Sequence, residues 1–180
     1  LTKSVVEPGT AREVEAIPAT LADSLMARLD RLSTAKEVAQ RAAVLGRKFG
    51  YPLLAAMAGM DEAALRHGLA RLVETEILFP RGEPPAATYT FKHALIQEAV
   101  YGSLLRKSRR SMHADCARVI ETRFADHLHD AYGMLAYHYL RADVLERAEE
   151  YTFKAGELAA RTAASHEALR NFREAYRIYQ

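Results

Sequence analysis

The sequence predicts a mainly α-helical protein in which one β-hairpin separates two helical regions. Over residues 21–73, apolar side chains recur at spacings of three and four, the period of helices that are buried along one face. Residues 77–79 and 89–91 alternate instead with the period of strands, on either side of a stretch rich in proline and glycine. From residue 94 the helical period returns and continues to the end of the chain.

Composition and charge exclude several classes of protein. Nearly half of the 180 residues are hydrophobic, which permits one or two compact domains and excludes a disordered chain. The 25 basic and 23 acidic residues nearly balance, so the totals require neither nucleic acid nor an anionic membrane as partner. The longest apolar run, residues 51–60, is about half the length that spans a bilayer. The single cysteine, Cys116, fits a reducing compartment, so we expect a cytoplasmic location and no membrane partner.

Residues 1–19 are predicted to form an irregular linker. Pro8, Gly9 and Pro18 interrupt this segment, which shows no long apolar period. The chain begins without methionine and ends at Gln180 within a helical pattern, so we expect it to be a piece of a longer polypeptide.

Two helices are predicted to follow the linker. The first has an apolar face over residues 21–32 and ends near Ser33. The second opens with Thr34 and Glu37 at the spacing of a capping box, in which a hydroxyl and a carboxylate satisfy free amides of the first turn. Its buried face continues to Gly46, a residue type that often ends helices.

Two further helices and the hairpin complete a predicted winged helix over residues 20–106. A short helix is predicted over Tyr51–Ala58, and a longer one begins with Asp61 as its N-cap. Two helices around so short a turn are typical of a helix-turn-helix, and helices followed by one hairpin make a winged helix. The second strand, at residues 89–91, leads directly into the next helix at His93.

Residues 107–180 are predicted to form an α-helical array. The apolar period gives candidate helices at about 94–106, 109–124, 130–141, 144–162 and 165–180. Asp143 is expected to cap the helix that follows Ala142. The last two helices carry small and aromatic residues at positions of a tetratricopeptide (TPR) repeat, where small residues let helices approach and the aromatic ring fills the next groove: Gly156, Ala168, Phe172 and Ala175. The array is therefore predicted to be the start of TPR-like repeats.

No constellation of residues predicts a catalytic or metal site. The chain lacks the glycine and lysine spacing of a phosphate-binding P-loop, and no glycine-flanked serine suggests a hydrolase nucleophile. His127, His129 and His138 have the side chain that many metals bind, but solvated or capping roles are favoured because no cysteine or carboxylate stands at a matching offset. Cys116 is expected to be a buried thiol in the apolar face of one helix, together with Met112, Val119 and Ile120.

The predicted recognition helix, residues 61–74, bears on whether the winged helix binds DNA. It carries three acidic residues against two basic ones, Arg66 and Arg71. Attraction to phosphates supplies most non-specific DNA affinity, so this helix disfavours nucleic acid as partner. The basic run RKSRR at 106–110 is the patch that best supports the opposite view.

Four blocks of sequence resemble a bacterial family of large signalling proteins. The blocks are IPATLADSLMARLDRLS, VAQRAAVLGRKFGYPLLAAMAG, LARLVETEILFPRG and YTFKHALIQEAVYGSLL. In that family an adenylate/guanylate cyclase-type domain is often followed by an AAA-like NTPase of the STAND class, a winged helix and tetratricopeptide repeats. The resemblance covers nearly the whole chain from Ile17 onward. It implies that this chain follows the NTPase core within a longer parent protein. It also implies that the parent protein binds ADP or ATP with Mg²⁺, whereas this chain itself holds no cofactor.

The resemblance also implies a role for His93. In STAND proteins the winged helix can close over nucleotide in the resting ADP state, with a histidine near the wing that contacts the diphosphate. That motif is methionine-histidine-aspartate before a helix of leucines; here Lys92, His93 and Ala94 stand at these positions, so alanine replaces aspartate. His93 is then a candidate contact of the ADP diphosphate and Lys92 a secondary one. The exposed amides at a helix N-terminus and the positive end of the helix dipole favour an anion. A histidine at this position adds a ring N–H as a further donor. Alternatively, His93 only ties the wing to the following helix by a hydrogen bond.

Three hypotheses for the function stay open on the sequence. In the first, the chain is a non-catalytic regulatory and interaction module of a cytoplasmic signal-transduction NTPase. It would couple a helical-repeat sensor to the nucleotide switch through contacts with the NTPase core. In the second, it is a DNA-binding transcriptional regulator. In the third, it is a scaffold that binds proteins in the groove of the array, with no role for His93.

Overall fold

The computed structural model describes residues 26–27 and 29–180. This part of the chain is mainly α-helical and contains a small three-stranded antiparallel sheet. The predicted linker at 1–19 and the predicted helical positions Leu21, Leu25 and Arg28 lie outside the described residues. None of the helices within the described ranges is long and apolar enough to cross a membrane.

The helices and strands follow one another along the chain in the order that the periodicity predicts, with one strand and one 3-10 helix added. They are α1 (Ser33–Leu45), β1 (Lys48–Gly50), α2 (Tyr51–Ala58), α3 (Glu62–Glu74), β2 (Leu78–Arg81), β3 (Thr88–Phe91), α4 (Ala94–Gly102), α5 (Arg106–Arg123), a 3-10 helix (Ala125–Ala131), α6 (Tyr132–Ala142), α7 (Leu145–Arg161) and α8 (Ser165–Tyr179).

The predicted hairpin is confirmed, and a third strand extends it. β2 and β3 pair antiparallel with Leu78 opposite Phe91, and β1 pairs with the other edge of β3, so that the order is β1-β3-β2. Strand β1 is not evident from the sequence because three residues are too few to show a period. Its one buried side chain, Phe49, contacts the rings of Tyr89 and Phe91 at centroid distances of 5.9 and 6.0 Å.

The two helices before the hairpin begin and end where their residues predict. Pro52 stands in the first turn of α2, where its missing N–H costs no hydrogen bond, and Gly59 ends the helix with a left-handed φ of 63°. Asp61 caps α3 by accepting a hydrogen bond from the Ala64 amide at 2.8 Å. The ends of these helices are therefore determined by neighbouring residues and can be predicted from the sequence.

The predicted capping box at the start of α1 is wrong. The helix begins one residue earlier, at Ser33, and the residue at its N-cap position is Leu32, which has no side-chain cap. The Leu32 amide bonds to the Leu29 carbonyl at 2.9 Å, so the preceding helical turn already satisfies a donor that a cap would serve. The carboxylate of Glu37 instead pairs with Arg41 one turn later, at 3.0 Å.

Buried side chains form two apolar clusters. The first lies between the sheet and helices α1 to α4, in what we call the sheet-bearing half (residues 29–102). The second lies between helices α5 to α7, in what we call the helical array (residues 106–180). Val44 of α1 and Met57 of α2 belong to the second cluster, so the sheet-bearing half contributes directly to the core of the array. The predicted division at residues 106 and 107 stays a prediction.

Within the array the predicted contact between small and aromatic residues is present. A Cβ atom at Gly156 of α7 would lie 2.7 Å from the Phe172 ring of α8, so a side chain at this position would meet the ring. Ala168 and Ala175 are buried. Asp143 does not cap α7: it ends α6 with a left-handed φ of 65°, and its carboxylate pairs with Arg110 at 2.5 Å.

Close packing between α1 and α3 gives a test of the sheet-bearing half. A Cβ atom at Gly68 of α3 would lie 2.7 Å from the Cγ2 atom of Val38, a fully buried and branched side chain on α1. We expect Gly68→Ala to lower the free energy of unfolding by about 1–3 kcal/mol because the two helices must separate.

The matched control is Gly102→Ala at the end of α4, where no described atom lies within 4 Å of the added Cβ. Alanine favours helices, so this variant should be neutral or up to about 1 kcal/mol more stable. Urea unfolding at one pH measures both. Equal effects of the two substitutions would contradict the close α1–α3 contact.

Candidate functional site

His93 occupies the N-cap position of α4 with an extended backbone, φ −128° and ψ 142°. Its carbonyl accepts hydrogen bonds from the amides of Ile96 at 3.1 Å and Gln97 at 3.5 Å. Its imidazole is exposed and forms no hydrogen bond with the described part of the chain. Only the backbone of His93 therefore bonds to α4, and the alternative in which His93 ties the hairpin to α4 stays a prediction. The ADP contact stays a prediction, for which the ring is sterically accessible.

Lys92, the secondary candidate, is already engaged. Its ammonium lies 2.9 Å from a carboxylate oxygen of Glu76 and 5.5 Å from the ring centroid of Phe79. Its amide donates to the Ile77 carbonyl at 3.0 Å as the chain leaves the hairpin. An anion that bound Lys92 would have to displace Glu76, so His93 is the more available of the two candidates.

Both arginines of α3 are paired within their own helix. Arg66 lies 2.7 Å from Glu62 and also stacks on the Tyr51 ring, with the guanidinium 5.7 Å from the centroid. Arg71 lies 2.8 Å from Glu74. The Arg66 hydrogen bond lowers the pKa of the Glu62 carboxyl, which keeps this partner ionised. A DNA phosphate would have to compete with these carboxylates, which adds to the acidic balance of the helix as a reason against DNA binding.

The basic run at 106–110 is partly used inside the fold. Arg109 stacks on the Tyr101 ring at 4.4 Å and donates to the Leu104 carbonyl at 3.1 Å. Arg110 forms the ion pair with Asp143 that links α5 to the end of α6. Two of the four basic side chains in this run thus hold the start of α5 in place.

The three histidines that were weighed as metal ligands do not come together. The rings of His127 and His129 lie 6.2 Å apart at the surface, and His129 is 3.4 Å from Asp130. His138 is buried elsewhere, in the core of the array. Across residues 26–27 and 29–180, no group of three or more His, Cys, Asp or Glu side chains is arranged to hold a metal ion.

His138 instead belongs to a hydrogen-bonded cluster in which three side chains are buried and Tyr101 is partly buried; we call it the histidine cluster: Tyr101, His113, Cys116 and His138. The Tyr101 hydroxyl lies 2.9 Å from Nε2 of His113. The two Nδ1 atoms of His113 and His138 lie 2.8 Å apart. Nε2 of His138 lies 3.5 Å from the sulfur of Cys116. The contacts form one continuous chain that runs from α4 to α5, crosses to α6 and returns to α5 at Cys116.

Burial keeps both imidazoles of this cluster neutral. It lowers the pKa of His113 to about 3, with further repulsion from His138, Arg141 and Arg109, and it lowers the pKa of His138 to about 4. Burial also raises the pKa of the Cys116 thiol to about 12, so the thiol is not a reactive thiolate. The prediction that Cys116 is a buried thiol is confirmed.

The cluster is not evident from the sequence because the apolar residues of α5 place its buried face slightly wrong. Met112 and Val119 are only partly buried, whereas the fully buried positions are His113, Cys116 and Ala117, followed by Ile120. The spacing of these four residues is that of an ideal buried helix face. Inclusion of histidine among the candidate core residues would have revealed the pattern.

A second polar network joins α5 to α7. Arg147 forms an ion pair with Glu121, the Tyr151 hydroxyl donates to the same carboxylate at 2.6 Å, and the guanidinium lies 5.6 Å from the Tyr139 centroid. Burial alone would raise the pKa of Glu121, but hydrogen bonds from Tyr151, Tyr139 and Arg147 outweigh it and lower the pKa. The carboxylate is therefore ionised and held from several sides.

Helices α6, α7 and α8 enclose a groove of about 700 Å³. Small residues, among them Gly133, Ala136 and Ala155, line part of it. Tyr137 and Leu140 also line it, and their side chains are 46% and 39% exposed, large values for apolar residues. The groove has the size of a ligand or peptide site and is mostly apolar.

Comparison with known proteins finds a relative of unassigned activity. A protein of Rhizobium meliloti (strain 1021), described only as uncharacterized, is 34% identical to this chain over 168 residues. The match covers 91% of this chain and 16% of the relative, so the chain spans about a sixth of that protein's length. No family model and no solved structure matches the chain.

The Glu121 network gives a stability test. Glu121→Gln keeps an acceptor for Tyr151 but removes the negative charge that faces the Arg147 guanidinium. Because the carboxylate is mostly buried and bonded to charged and polar donors, we expect a loss of about 1–2 kcal/mol in urea unfolding.

Glu74→Gln is the matched control, since it breaks the exposed pair with Arg71 on α3. Exposed pairs of this kind contribute about 0–1 kcal/mol. A Glu121 variant as mild as the Glu74 variant would show that the network does not stabilise the packing of α5 against α7.

Proposed function

We propose that this chain is a non-catalytic regulatory and interaction module of a larger cytoplasmic signal-transduction NTPase. In this proposal the sheet-bearing half is the winged helix that contacts the NTPase core, and the helical array is the start of TPR-like repeats that bind protein partners. The parent would hold ADP or ATP with Mg²⁺, and members of the resembled family often add an adenylate/guanylate cyclase-type domain.

The observation that carries the proposal is the shared core. Val44 and Met57 from the sheet-bearing half are buried among residues of α5 and α6, such as Ile120 and Leu135. Protein interiors are close-packed and transmit displacement, so a shift of α5 or α6 cannot leave α1 and α2 unmoved. A partner that moves the array would thus bias the position of the sheet-bearing half, as a sensor coupled to a switch requires.

Local features of both halves support the finer assignment. The hairpin follows α3 after a helix-turn-helix arrangement, and the extra strand β1 pairs with the second strand of the hairpin. In the array, Gly156 meets Phe172 in the manner that the repeat pattern requires.

His93 is the residue through which we propose that this module senses nucleotide. It is exposed at the start of α4, whose first amides and dipole favour an anion, and its imidazole is engaged by no residue of the described ranges. A ring N–H to the ADP diphosphate would hold the winged helix against the NTPase core in the resting state. Lys92 would take part only after it leaves Glu76.

The experiment measures ADP that copurifies with the full-length parent, for wild type, His93→Ala and His67→Ala. His67 is an exposed histidine on α3 and serves as the matched control. We expect ADP in the wild type and in the control, and roughly 10- to 100-fold faster ADP release from His93→Ala, because a hydrogen bond to a charged group contributes about 1.5–3 kcal/mol. Equal ADP release from all three proteins would overturn the role of His93.

The groove of the array favours a second candidate, a protein-interaction scaffold without a nucleotide switch. Its exposed Tyr137 and Leu140 offer an apolar surface to a peptide or helix. Absence of ADP from all three purified proteins would favour this candidate over the regulatory module.

A further inference from the structure

The histidine cluster lies where three helices meet. Tyr101 comes from the end of α4, His113 and Cys116 from α5, and His138 from α6. His113 and Cys116 are 0% exposed and His138 is 4% exposed. Burial of two polar rings costs free energy that apolar residues would not cost, so two imidazoles in direct contact in a core are unusual. Neither the proposed nucleotide contact nor the groove requires them.

The protons of the neutral cluster can be arranged in two complete ways. In one, Tyr101 donates to His113 Nε2, His113 Nδ1–H donates to His138 Nδ1, and His138 Nε2–H points at the Cys116 sulfur. In the other, all three donors and acceptors are reversed. Each arrangement satisfies both rings, so the contact is stable while the rings are neutral.

Added protons break this arrangement in two steps. A first proton leaves every hydrogen bond possible, but it places a positive charge in a core that already faces the guanidinium groups of Arg109 and Arg141. A second proton puts an N–H on both Nδ1 atoms, which cannot remain 2.8 Å apart with hydrogens between them. Doubly protonated, His113 and His138 must separate, and α5 must move away from α6.

Two cations and one carboxylate among the described residues act on the cluster. From α5 the charged side chains that act on the cluster are Arg109 and Asp115, and from α6 there is Arg141. Asp115 acts on the Cys116 thiol, and its carboxylate pairs with Arg118. No carboxylate of the described residues is hydrogen-bonded to either imidazole, and Tyr101 and Tyr137 are the other titratable groups that contact them.

We propose that the histidine cluster is a pH-sensitive latch, which holds α5 against α6 near neutral pH and releases them in mild acid. The Tyr137 ring contacts both His113 and His138, at 5.7 and 5.2 Å between centroids, and it also lines the groove. Release of the latch therefore changes the groove as well as the junction with α4. This inference concerns the chain itself and does not depend on its attachment to an NTPase.

The sign of the pH response follows from the two states. In the closed state the pKa values of both histidines are lowered, to about 3 and about 4, whereas in the open state they return towards 6.5. The open state thus binds more protons between these limits. The stability that the neutral rings give to the closed state is fully present above about pH 6.5 and is lost as the pH falls below it. From pH 7.5 to 5.5 each freely titrating ring favours opening roughly tenfold, and the pair roughly 100-fold.

The test is amide hydrogen exchange of this chain at pH 7.5 and 5.5, corrected for the intrinsic exchange rate. We expect the opening constants of α5 and α6 amides around the cluster to rise roughly 100-fold at the lower pH, while amides of α3, which contributes no residue to the shared core, change much less. A rise of less than about threefold around the cluster would overturn the latch.

Two double variants separate the cluster from histidine titration in general. His113→Phe/His138→Leu removes both buried imidazoles, and the pH dependence should disappear from α5 and α6. His127→Gln/His129→Gln removes two exposed histidines of the same array and should leave the wild-type response intact. If the pH dependence of exchange in α5 and α6 persists after the buried histidines are removed, the latch proposal is wrong.

A measurement on the wild type keeps the proposal testable if the buried variant does not fold. Nitrogen NMR of the imidazole rings should show both neutral, with one Nδ1 protonated and one not, at pH 7.5. At pH 5.5 the closed form should keep these signals while an open form with charged rings grows. Titration of either ring near pH 6.5, with α5 and α6 amides still protected, would overturn the latch.

Discussion

Helix α5 is the constraint on which the rest of the structure depends, because its buried face belongs to the core that the two halves share. Cys116, Ala117 and Ile120 on this face meet Val44 and Met57 from α1 and α2, and they also meet residues of α6 and α7. Val44 and Met57 complete the core of the array, and residues of the array in turn cover these two side chains. A core that is shared in this way makes the two halves mechanically dependent on each other.

Two polar networks act on this helix in different ways. The ion pair of Glu121 and Arg147 joins α5 to α7, and both side chains are partly exposed to solvent. This contact therefore persists over the pH range in which the Glu121 carboxylate is charged. The histidine cluster joins α5 to α6 through two neutral imidazoles that are almost entirely buried, so their contact is stable only while the rings stay neutral. The contact of α5 with α7 thus depends on charged groups, and its contact with α6 depends on neutral ones.

The sequence was most informative where structure depends on a few neighbouring residues. Asp61 and Gly59 mark the turn before α3, and the alternation at 89–91 marks a strand, because capping and side-chain alternation are local properties. The strand β1 could not be predicted, since its pairing with β3 is a long-range contact made by only three residues. The histidine cluster was missed for a related reason: His113 and His138 are polar by type, and only the tertiary contact makes them core residues. The same holds for α1, where contact with the preceding turn replaced the expected cap.

Helix α4 connects the two proposals. It begins at His93, the candidate nucleotide contact, and it carries Tyr101, the first member of the histidine cluster, in its last turn. Gln97 on the same helix donates to the Ala43 carbonyl at 2.7 Å, which ties α4 to the end of α1. The helix has nine residues and is about 13 Å long, short enough to move as a rigid body. Separation of His113 from His138 would free Tyr101 to follow α5, and any tilt of α4 that results displaces His93 at the other end. If His93 does contact ADP, a change at the latch therefore reaches the nucleotide through one rigid helix.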